Sequence, residues 1–226
     1  MKLDPLERWF VNSPVRRLMQ ALVVRWFRAV RPLSPGAVIL EIGCGAGAGA
    51  RMLARQFSPR RLLLTDIDHR MVALAQERFS QGESFPAHFC VGDAARLPFR
   101  NEAAHAVFGF GFLHHVPAWR EGLAEIHRVL KPEGIYYFEE YFPSLYQNFV
   151  TRRLARHPTH DRFAGGDLRE AFARVEIDLR HTFELKHFGI LGVGVKKRRN
   201  GHRHAQHCPV KTLPKENGRT DRHRLF

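Results

Sequence analysis

Three glycines at alternating positions follow a short apolar segment in the first quarter of the chain. The segment Val38–Ile42 is apolar except for Glu41, and the glycines are Gly43, Gly45 and Gly47. Glycine adopts positive φ and lets a ligand approach where a Cβ would collide. The helix expected next offers unpaired backbone N–H groups at its start. A strand, a glycine-rich turn and a helix in this order indicate a site for a nucleotide-like ligand.

Acidic residues follow the next two apolar segments and narrow the class of ligand. Asp66 lies 23 positions after Gly43, close to the spacing of about 20 residues typical of a carboxylate that holds a ribose diol. Asp93 is placed to receive the amino group of an adenine. The Gly-x-Gly-x-Gly spacing and Glu41 disfavour a dinucleotide, since an anion there suits an ammonium or sulfonium group better than a pyrophosphate.

Strand and helix patterns alternate around these residues. The strand-like segments are residues 38–42, 62–65, 88–91, 104–110 and 135–138, and helical spacing is found in residues 48–57, 68–79 and 119–130. This alternation predicts right-handed crossovers and a parallel sheet with helices on both faces. Ligands of such sheets bind beyond the carboxyl ends of the strands. Glu41, Asp66, Asp93 and the segment 110–115 are all expected at that edge.

Five motifs in this order resemble those of class I S-adenosylmethionine-dependent methyltransferases. Residues 39–47, 64–68 and 91–99 resemble the first three, and residues 112–116 and 128–134 resemble segments of the ubiquinone-biosynthesis-like, type 11 branch. The resemblance covers about residues 36–141. It implies an α/β/α sandwich with a Rossmann-like, doubly wound and mostly parallel sheet of about seven strands. A C-terminal antiparallel hairpin, at residues 175–185 and 188–195, would place its last strand beside strand five.

The resemblance also implies S-adenosyl-L-methionine as the cofactor. Glu41 and the glycines would face its methionine part, Asp66 the ribose, and Asp93 with Ala94 the adenine. The expected cofactor-binding residues are Glu41, Gly43, Cys44, Gly45, Gly47, Asp66, Ile67, Met71, Asp93, Ala94, Phe110 and Gly111. We interpret Cys44 as a space-filling thiol rather than a nucleophile, because no activating base is evident near it in the sequence.

Methyl transfer requires mainly that the nucleophile and the methyl group are held close together. A general base is needed only if the nucleophile must lose a proton. His114 and His115 are the candidates, with local packing or hydrogen bonding as the alternative for either. Glu139, Glu140 and Tyr141 follow strand five, where they either line the acceptor side or are solvated.

Two departures from the family pattern affect strand four. The family has Phe-Asp at the start of this strand, where this chain has Ala104-His105. That aspartate is not a cofactor ligand, so we expect binding to survive the change. The turn at residues 109–111 is more glycine-rich than usual, which leaves the shape of the pocket floor open.

A small molecule or a lipid-like compound is the expected methyl acceptor. Nucleic-acid amino methyltransferases of this fold carry an Asn/Asp/Ser-Pro-Pro-aromatic turn after strand four, where this chain has Phe-Gly-Phe-Leu at residues 110–113. No paired catalytic cysteines are placed as in cytosine-C5 enzymes, so nucleic acid is disfavoured as a partner. The alternatives are a non-catalytic cofactor-binding protein, or an RNA or protein methyltransferase docked through its basic ends.

The chain divides into an N-terminal helical arm (residues 1–34), a methyltransferase domain (35–196) and a basic tail (197–226). The amphipathic arm caps the domain, closes over the cofactor as a lid, or makes weak contact with an anionic membrane surface. Its apolar residues include Trp9, Phe10, Leu18, Leu22, Trp26 and Phe27. The long connection at residues 143–173 gives the acceptor pocket an apolar wall or belongs to the core. Its apolar residues, with the preceding one, are Phe142, Leu145, Tyr146, Phe149, Leu154 and Phe163.

The formal net charge of +14 is concentrated at the two ends of the chain. After residue 195, ten lysines and arginines stand against two acidic residues, a net of +8, which is typical of a solvated, disordered tail. The group His202, His204, His207 and Cys208 matches no usual zinc spacing, so no metal site is predicted. Three scattered cysteines, no signal-peptide pattern and no long apolar run favour a cytoplasmic setting.

Overall fold

The computed structural model describes residues 13–81, 85–146 and 161–198. Our expectations for the first 12 residues, for Phe149 and Leu154, and for the tail beyond residue 198 lie outside these ranges.

Strands and helices alternate through the described chain. The helices are α1 (Pro14–Val30), α2 (Ala48–Phe57), α3 (His69–Ser80), α4 (Trp119–Val129), α5 (Pro143–Tyr146) and α6 (Gly165–Arg174), with a 3₁₀ turn at Leu113–His115. The strands are β1 (Val38–Ile42), β2 (Arg61–Asp66), β3 (Ala87–Val91), β4 (Ala104–Phe110), β5 (Leu130–Tyr141), β6 (Ile177–Leu185) and β7 (Gly189–Lys196).

The seven strands form a single sheet in the order β3-β2-β1-β4-β5-β7-β6. The first five are parallel, while β7 is antiparallel to both β5 and β6. The predicted doubly wound, mostly parallel sheet with a C-terminal hairpin is therefore confirmed, including the insertion of the last strand beside the fifth.

Each face of the sheet is covered by helices, as expected for an α/β/α sandwich. Successive strand residues point to opposite faces. Leu40 and Phe138 therefore pack in the core beneath α4 and α6, whereas Phe108 and Tyr137 pack in the core beneath α1, α2 and α3. The rings of Phe108 and Tyr137 stack with centroids 4.4 Å apart, which joins β4 to β5 under α1.

Element ends near β5 differ from the sequence prediction. Helix α4 ends at Val129, and β5 begins at once with Leu130 rather than at residue 135. Leu130 pairs with Ala104, and the register shifts before Ala106 pairs with Ile135. The Pro- and Gly-containing segment that ends the helix is thus an irregular start to the strand rather than a loop, with Glu133 at φ 62°.

His105 stands at the start of β4, where the family pattern has an aspartate, and it takes part in a contact at the amino end of the sheet. Its Nδ1 accepts a hydrogen bond from the Val38 N–H at 2.9 Å, and its Nε2 lies 3.0 Å from the Lys131 Nζ. Burial, Lys131 and Arg60 lower the pKa of His105, which favours the neutral imidazole needed for accepting. The substitution therefore lies at the edge of the sheet opposite to the strands' carboxyl ends.

Candidate active site

A cavity of about 350 Å³ lies at the carboxyl ends of β1, β2, β3 and β4. Its lining combines glycine backbone, carboxylates and apolar side chains. The lining residues are Ile42, Gly43, Gly45, Asp66, Ile67, Asp68, Met71, Gly92, Asp93, Ala94, Phe110, Gly111, Phe112, His115, Val116 and Pro117.

The loop after β1 owes its shape to its three glycines. Gly43, Gly45 and Gly47 have φ of 71°, 50° and 81°, a region that side chains disfavour. A Cβ on Gly43 would lie 2.9 Å from the Phe112 Cβ, whereas a Cβ on Gly45 would meet nothing within 4 Å. Gly43 is thus required for space as well as for conformation, and Gly45 for conformation, with open room beside it for a ligand.

Asp66 is fixed at the end of β2 by two backbone donors. Its Oδ2 accepts from the Gly45 N–H at 2.9 Å and its Oδ1 from the Asp68 N–H at 2.9 Å. Each carboxylate oxygen has a second acceptor site, so Asp66 can still accept from a vicinal diol. Asp68 caps α3 as predicted, accepting from the Arg70 N–H, and forms an ion pair with the Arg70 side chain at 2.7 Å.

The far end of the cavity suits a flat ring that carries an amino group. The exposed Ile67 side chain, Met71 and Ala94 supply apolar surface there. The Asp93 carboxylate is held by the Ala95 N–H at 2.9 Å and lies beside this surface. The residues therefore fit an adenosine: an apolar slot, a carboxylate for the amino group and Asp66 for the ribose.

Three of the expected cofactor residues lie outside the cavity lining: Glu41, Cys44 and Gly47. Glu41 is 2% exposed and lies under the start of α2, since a Cβ on Gly49 would fall 2.1 Å from its Oε1 and 2.9 Å from the Gln20 Nε2. Burial and the nearby Asp66 raise the pKa of Glu41 well above its usual value. Burial also raises the pKa of the Cys44 thiol, which keeps it protonated.

The two histidines of the 3₁₀ turn have different surroundings. His115 lines the cavity. His114 is buried, with its Nδ1 2.8 Å from Glu140 Oε2. Glu140 also accepts from the N–H groups of Leu113 and His114, at 3.0 and 3.2 Å. Burial raises the pKa of Glu140 to about 8. Glu140 thus fixes the turn that carries His115 to the cavity.

The glycine-rich turn after β4 makes room for the cavity floor. A Cβ on Gly109 would lie 2.4 Å from Cε1 of the Phe112 ring. Gly111 has φ 65°, and a Cβ there would lie 2.9 Å from Cε2 of Tyr141. These glycines let Phe112 fold back against the loop after β1, which explains the departure from the family pattern at residues 109–111.

A buried ion pair ties α1 to the end of β5. The Arg16 guanidinium binds the Glu139 carboxylate at 2.6 and 3.3 Å, and each side chain is 6% exposed. The Tyr141 hydroxyl donates to Glu139 Oε1 at 2.9 Å. Glu139 and Glu140 are therefore both buried rather than solvated. Phe142 and Phe163 belong to the core beneath α4 and α6, the second of the two alternatives for this segment.

Sequence reasoning did not identify several residues of the site. Phe112 lies in the segment 110–115 that is expected at the edge of the sheet, but the sequence indicates no role of its own for it, and Val116 belongs only to a motif of the family resemblance. Arg16 carried a clearer signal, because it occupies the buried stripe of α1 together with Gln20, Val23 and Phe27. A charged residue on such a stripe is expected only where a partner neutralises it.

The sequence of residues 39–134 matches the model of a family described as Methyltransferase domain. Among curated relatives, the malonyl-(acyl-carrier protein) O-methyltransferase of Marinomonas sp. (strain MWYL1) is 29% identical over 119 residues, 53% of this chain and 43% of that protein. The phthiotriol/phenolphthiotriol dimycocerosates methyltransferase of Mycobacterium leprae (strain TN) is 36% identical over 110 residues, 48% of this chain and 39% of that protein. The chain thus spans less than half the length of these relatives.

A solved structure of a SAM-dependent methyltransferase from Aquifex aeolicus superposes with a TM-score of 0.68 at 17% identity, covering 86% of this chain and 99% of that one. This likeness concerns the fold. Residues 39–134 are therefore similar to a methyltransferase domain, and this match together with a cavity that fits an adenosine indicates S-adenosyl-L-methionine as the cofactor.

Proposed function

We propose that the chain transfers a methyl group from S-adenosyl-L-methionine to a small-molecule or lipid-like acceptor. The observation that carries this proposal is the composition of the cavity. Carboxylates and glycine backbone line its cofactor end, whereas Phe112, Val116 and Pro117 give the remainder an apolar wall beside His115. The names of the two curated relatives, which act on an acyl-carrier-bound malonyl group and on phthiotriol dimycocerosates, support an acceptor of lipid character.

When bound, the cofactor supplies a methyl group on a positively charged sulfur, already activated for transfer. In the proposal, Asp66 accepts from the ribose hydroxyls and Asp93 from the adenine amino group. The carboxylates of Asp66 and Asp93 also favour a cationic ligand over a neutral one. His115 accepts the proton that a hydroxyl acceptor loses as its oxygen takes the methyl group, whereas a carboxylate acceptor is already ionised and needs no base. His114 and Glu140 position His115 and do not touch the reacting atoms.

The arm, domain and tail boundaries at residues 34 and 196 are part of the same proposal. The Arg16–Glu139 pair makes α1 a fixed cover of the sheet at the rim, which favours a cap over a lid for the buried face of the arm.

Two measurements on the full chain test the proposed function. Calorimetry should show binding of S-adenosyl-L-methionine with micromolar-range affinity; no binding would contradict the proposal at its first step. Transfer of radiolabelled methyl should then be screened against fatty acids, malonyl thioesters, phenols and RNA. Label in the lipid or small-molecule fractions supports the proposal. Label in RNA contradicts it, and cofactor binding without transfer to any class indicates the non-catalytic alternative.

A further inference from the structure

Strongly exposed apolar side chains are concentrated on two elements of the structure. Among the described residues, nine large apolar side chains are between 43% and 65% exposed, and seven of them lie on α1 or on the β6–β7 hairpin. The seven are Val15 (62%), Leu18 (65%), Met19 (43%) and Leu22 (57%) of α1, and Phe183 (55%), Leu185 (52%) and Phe188 (57%) of the hairpin. Of the other two, Ile67 lines the cavity and Val91 ends β3.

The four α1 side chains form one stripe. Their spacing of i, i+3, i+4 and i+7 places them on a single helix face, next to but separate from the buried face that includes Arg16 and Phe27. The helix contains four arginines and no acidic residue. Arg16 is paired with Glu139, and the exposed Arg25 lies beside the stripe, three residues after Leu22.

Two of the three exposed apolar residues of the hairpin, Phe183 and Leu185, lie on the same face of the sheet as α1. Phe183 lies opposite Leu191 in the β6–β7 register, and residues directly opposite in antiparallel strands share a face. Leu191 packs against the core that contains Phe27 of α1. Glu184 points to the other face, where it pairs with Arg169 at 2.7 Å. The hairpin therefore has an apolar α1-side face.

Both elements also reach the edge of the sheet where the cavity opens. The first turn of α1 is bound there through Arg16 and Glu139. The hairpin turn is bound there too, since the Phe142 N–H donates to the Phe188 carbonyl at 2.9 Å. Tyr141, the last residue of β5, pairs with Gly189. The start of the α1 stripe, the hairpin tip (residues 183–188) and the cavity mouth thus share one rim of the molecule.

We propose that the α1 stripe and the hairpin tip together form a docking surface for an anionic lipid bilayer. None of the described helices has the length and apolar content needed to cross a bilayer, so the contact is peripheral. Apolar side chains would enter the acyl boundary while Arg25 and Lys186 meet the phosphates. The only acidic side chain of the hairpin tip among residues 181–189, Glu184, faces away. The geometry places the cavity mouth towards the lipid.

This inference goes beyond the proposed function, because vesicle binding requires neither cofactor nor methyl transfer. The full chain should be sedimented with phosphatidylcholine vesicles and with vesicles that also contain phosphatidylglycerol. We expect binding to the anionic vesicles and weaker binding to the neutral ones. Leu22→Ser should lower the affinity at least about tenfold, the size expected for one buried leucine, and Phe183→Ser should act in the same direction. Arg25→Gln with Lys186→Gln should remove the preference for anionic lipid.

Val91→Ser is the matched control, since Val91 is 51% exposed but lies on β3, away from both elements. An equal loss of binding in Val91→Ser and Leu22→Ser, or no binding of the wild type to anionic vesicles, would overturn the inference. Light scattering should show a monomer. A dimer that Leu22→Ser dissociates would mean that a second copy of the chain covers this surface instead. Calorimetry with S-adenosyl-L-methionine on the same variants separates loss of docking from loss of the cofactor site.

Discussion

The two halves of the cavity rim are held in place by different kinds of interaction. At the cofactor half, backbone N–H groups hold a carboxylate: the Gly45 N–H donates to Asp66, 21 residues further on, and the Asp68 N–H donates to Asp66 from two residues away. The half beside the end of β5, where the proposed acceptor would enter, is called the acceptor half; there, buried charged side chains join distant segments, as in the Arg16–Glu139 pair, 123 residues apart. The cofactor half depends on backbone conformation and the acceptor half on a buried ion pair. Different substitutions should therefore disrupt the two halves.

The largest effect is expected from Glu139→Ala, which leaves the Arg16 guanidinium buried without its carboxylate. Removing one partner of a buried ion pair costs about 3–5 kcal/mol, and the free energy of unfolding in urea should fall by that amount. Calorimetry should show nearly unchanged affinity for S-adenosyl-L-methionine if the variant remains folded. A double variant, Arg16→Met with Glu139→Gln, should recover much of the stability.

Glu170→Ala provides the surface control for this prediction. Glu170 and Arg174 pair at 2.6 Å, but their side chains are 64% and 69% exposed, and exposed pairs contribute little. If Glu139→Ala and Glu170→Ala destabilise the protein equally, the Arg16–Glu139 pair does not hold the acceptor half.

Asp66→Ala tests the cofactor half. It removes the acceptor for the ribose and the partner of two backbone N–H groups, so we expect cofactor binding to weaken by about 1–3 kcal/mol. His115→Ala, on the other half, should leave cofactor affinity unchanged and lower the rate of methyl transfer. Calorimetry and transfer assays on both variants measure this separation. Equal losses of affinity would mean that the two halves are not independent.

An effect that depends on pH is expected from Glu140→Gln. Because the Glu140 pKa is raised from 4.5 to about 8 on folding, the folded state binds an extra proton between these values. Stability from this group is present at low pH and is lost as pH rises towards 8. The difference in unfolding free energy between wild type and variant should therefore fall with pH, by at most about 1.4 kcal/mol per unit.

Urea unfolding between pH 5 and 9 measures the Glu140 effect. For Glu170→Gln, the curve of unfolding free energy against pH should run parallel to that of the wild type, because Glu170 is exposed. A Glu140→Gln curve that also runs parallel to the wild type would contradict a raised pKa for Glu140.

The smallest effect is expected from Cys44→Ala. The thiol is 5% exposed, lies outside the cavity lining and has a raised pKa. Its removal should change the rate of methyl transfer less than about twofold. Loss of activity on the scale of a missing nucleophile would show that the thiol takes part in the chemistry.

The sequence was informative where local rules determine the structure. Glycines that require positive φ, Asp68 as a helix cap and the carboxylates at strand ends all follow from residues near one another. The hairpin, with its last strand beside strand five, came from family resemblance and is confirmed by the sheet. The early start of β5 was missed, because the pairing of Leu130 with Ala104 overrides the Pro and Gly signal.

The acceptor half was harder to predict because its partners are remote in sequence. Nothing near Glu139 indicates that Arg16 neutralises it, and the burial of Glu140 depends on the 3₁₀ turn that follows β4. The lining roles of Phe112 and Pro117 likewise follow from how that turn folds back against Gly43 and Gly109. Such contacts arise only when the whole sheet has assembled.

The buried pair between α1 and β5 also orders the folding of the chain. Helix α1 is synthesised early, but its buried face needs β5, which emerges more than 100 residues later. Contacts of such high sequence separation are slow to form. During synthesis on the ribosome, the buried face of α1, with Arg16, therefore cannot pack until β4 and β5 have emerged. Contacts of the cofactor half such as Gly45–Asp66 can form earlier than the Arg16–Glu139 pair.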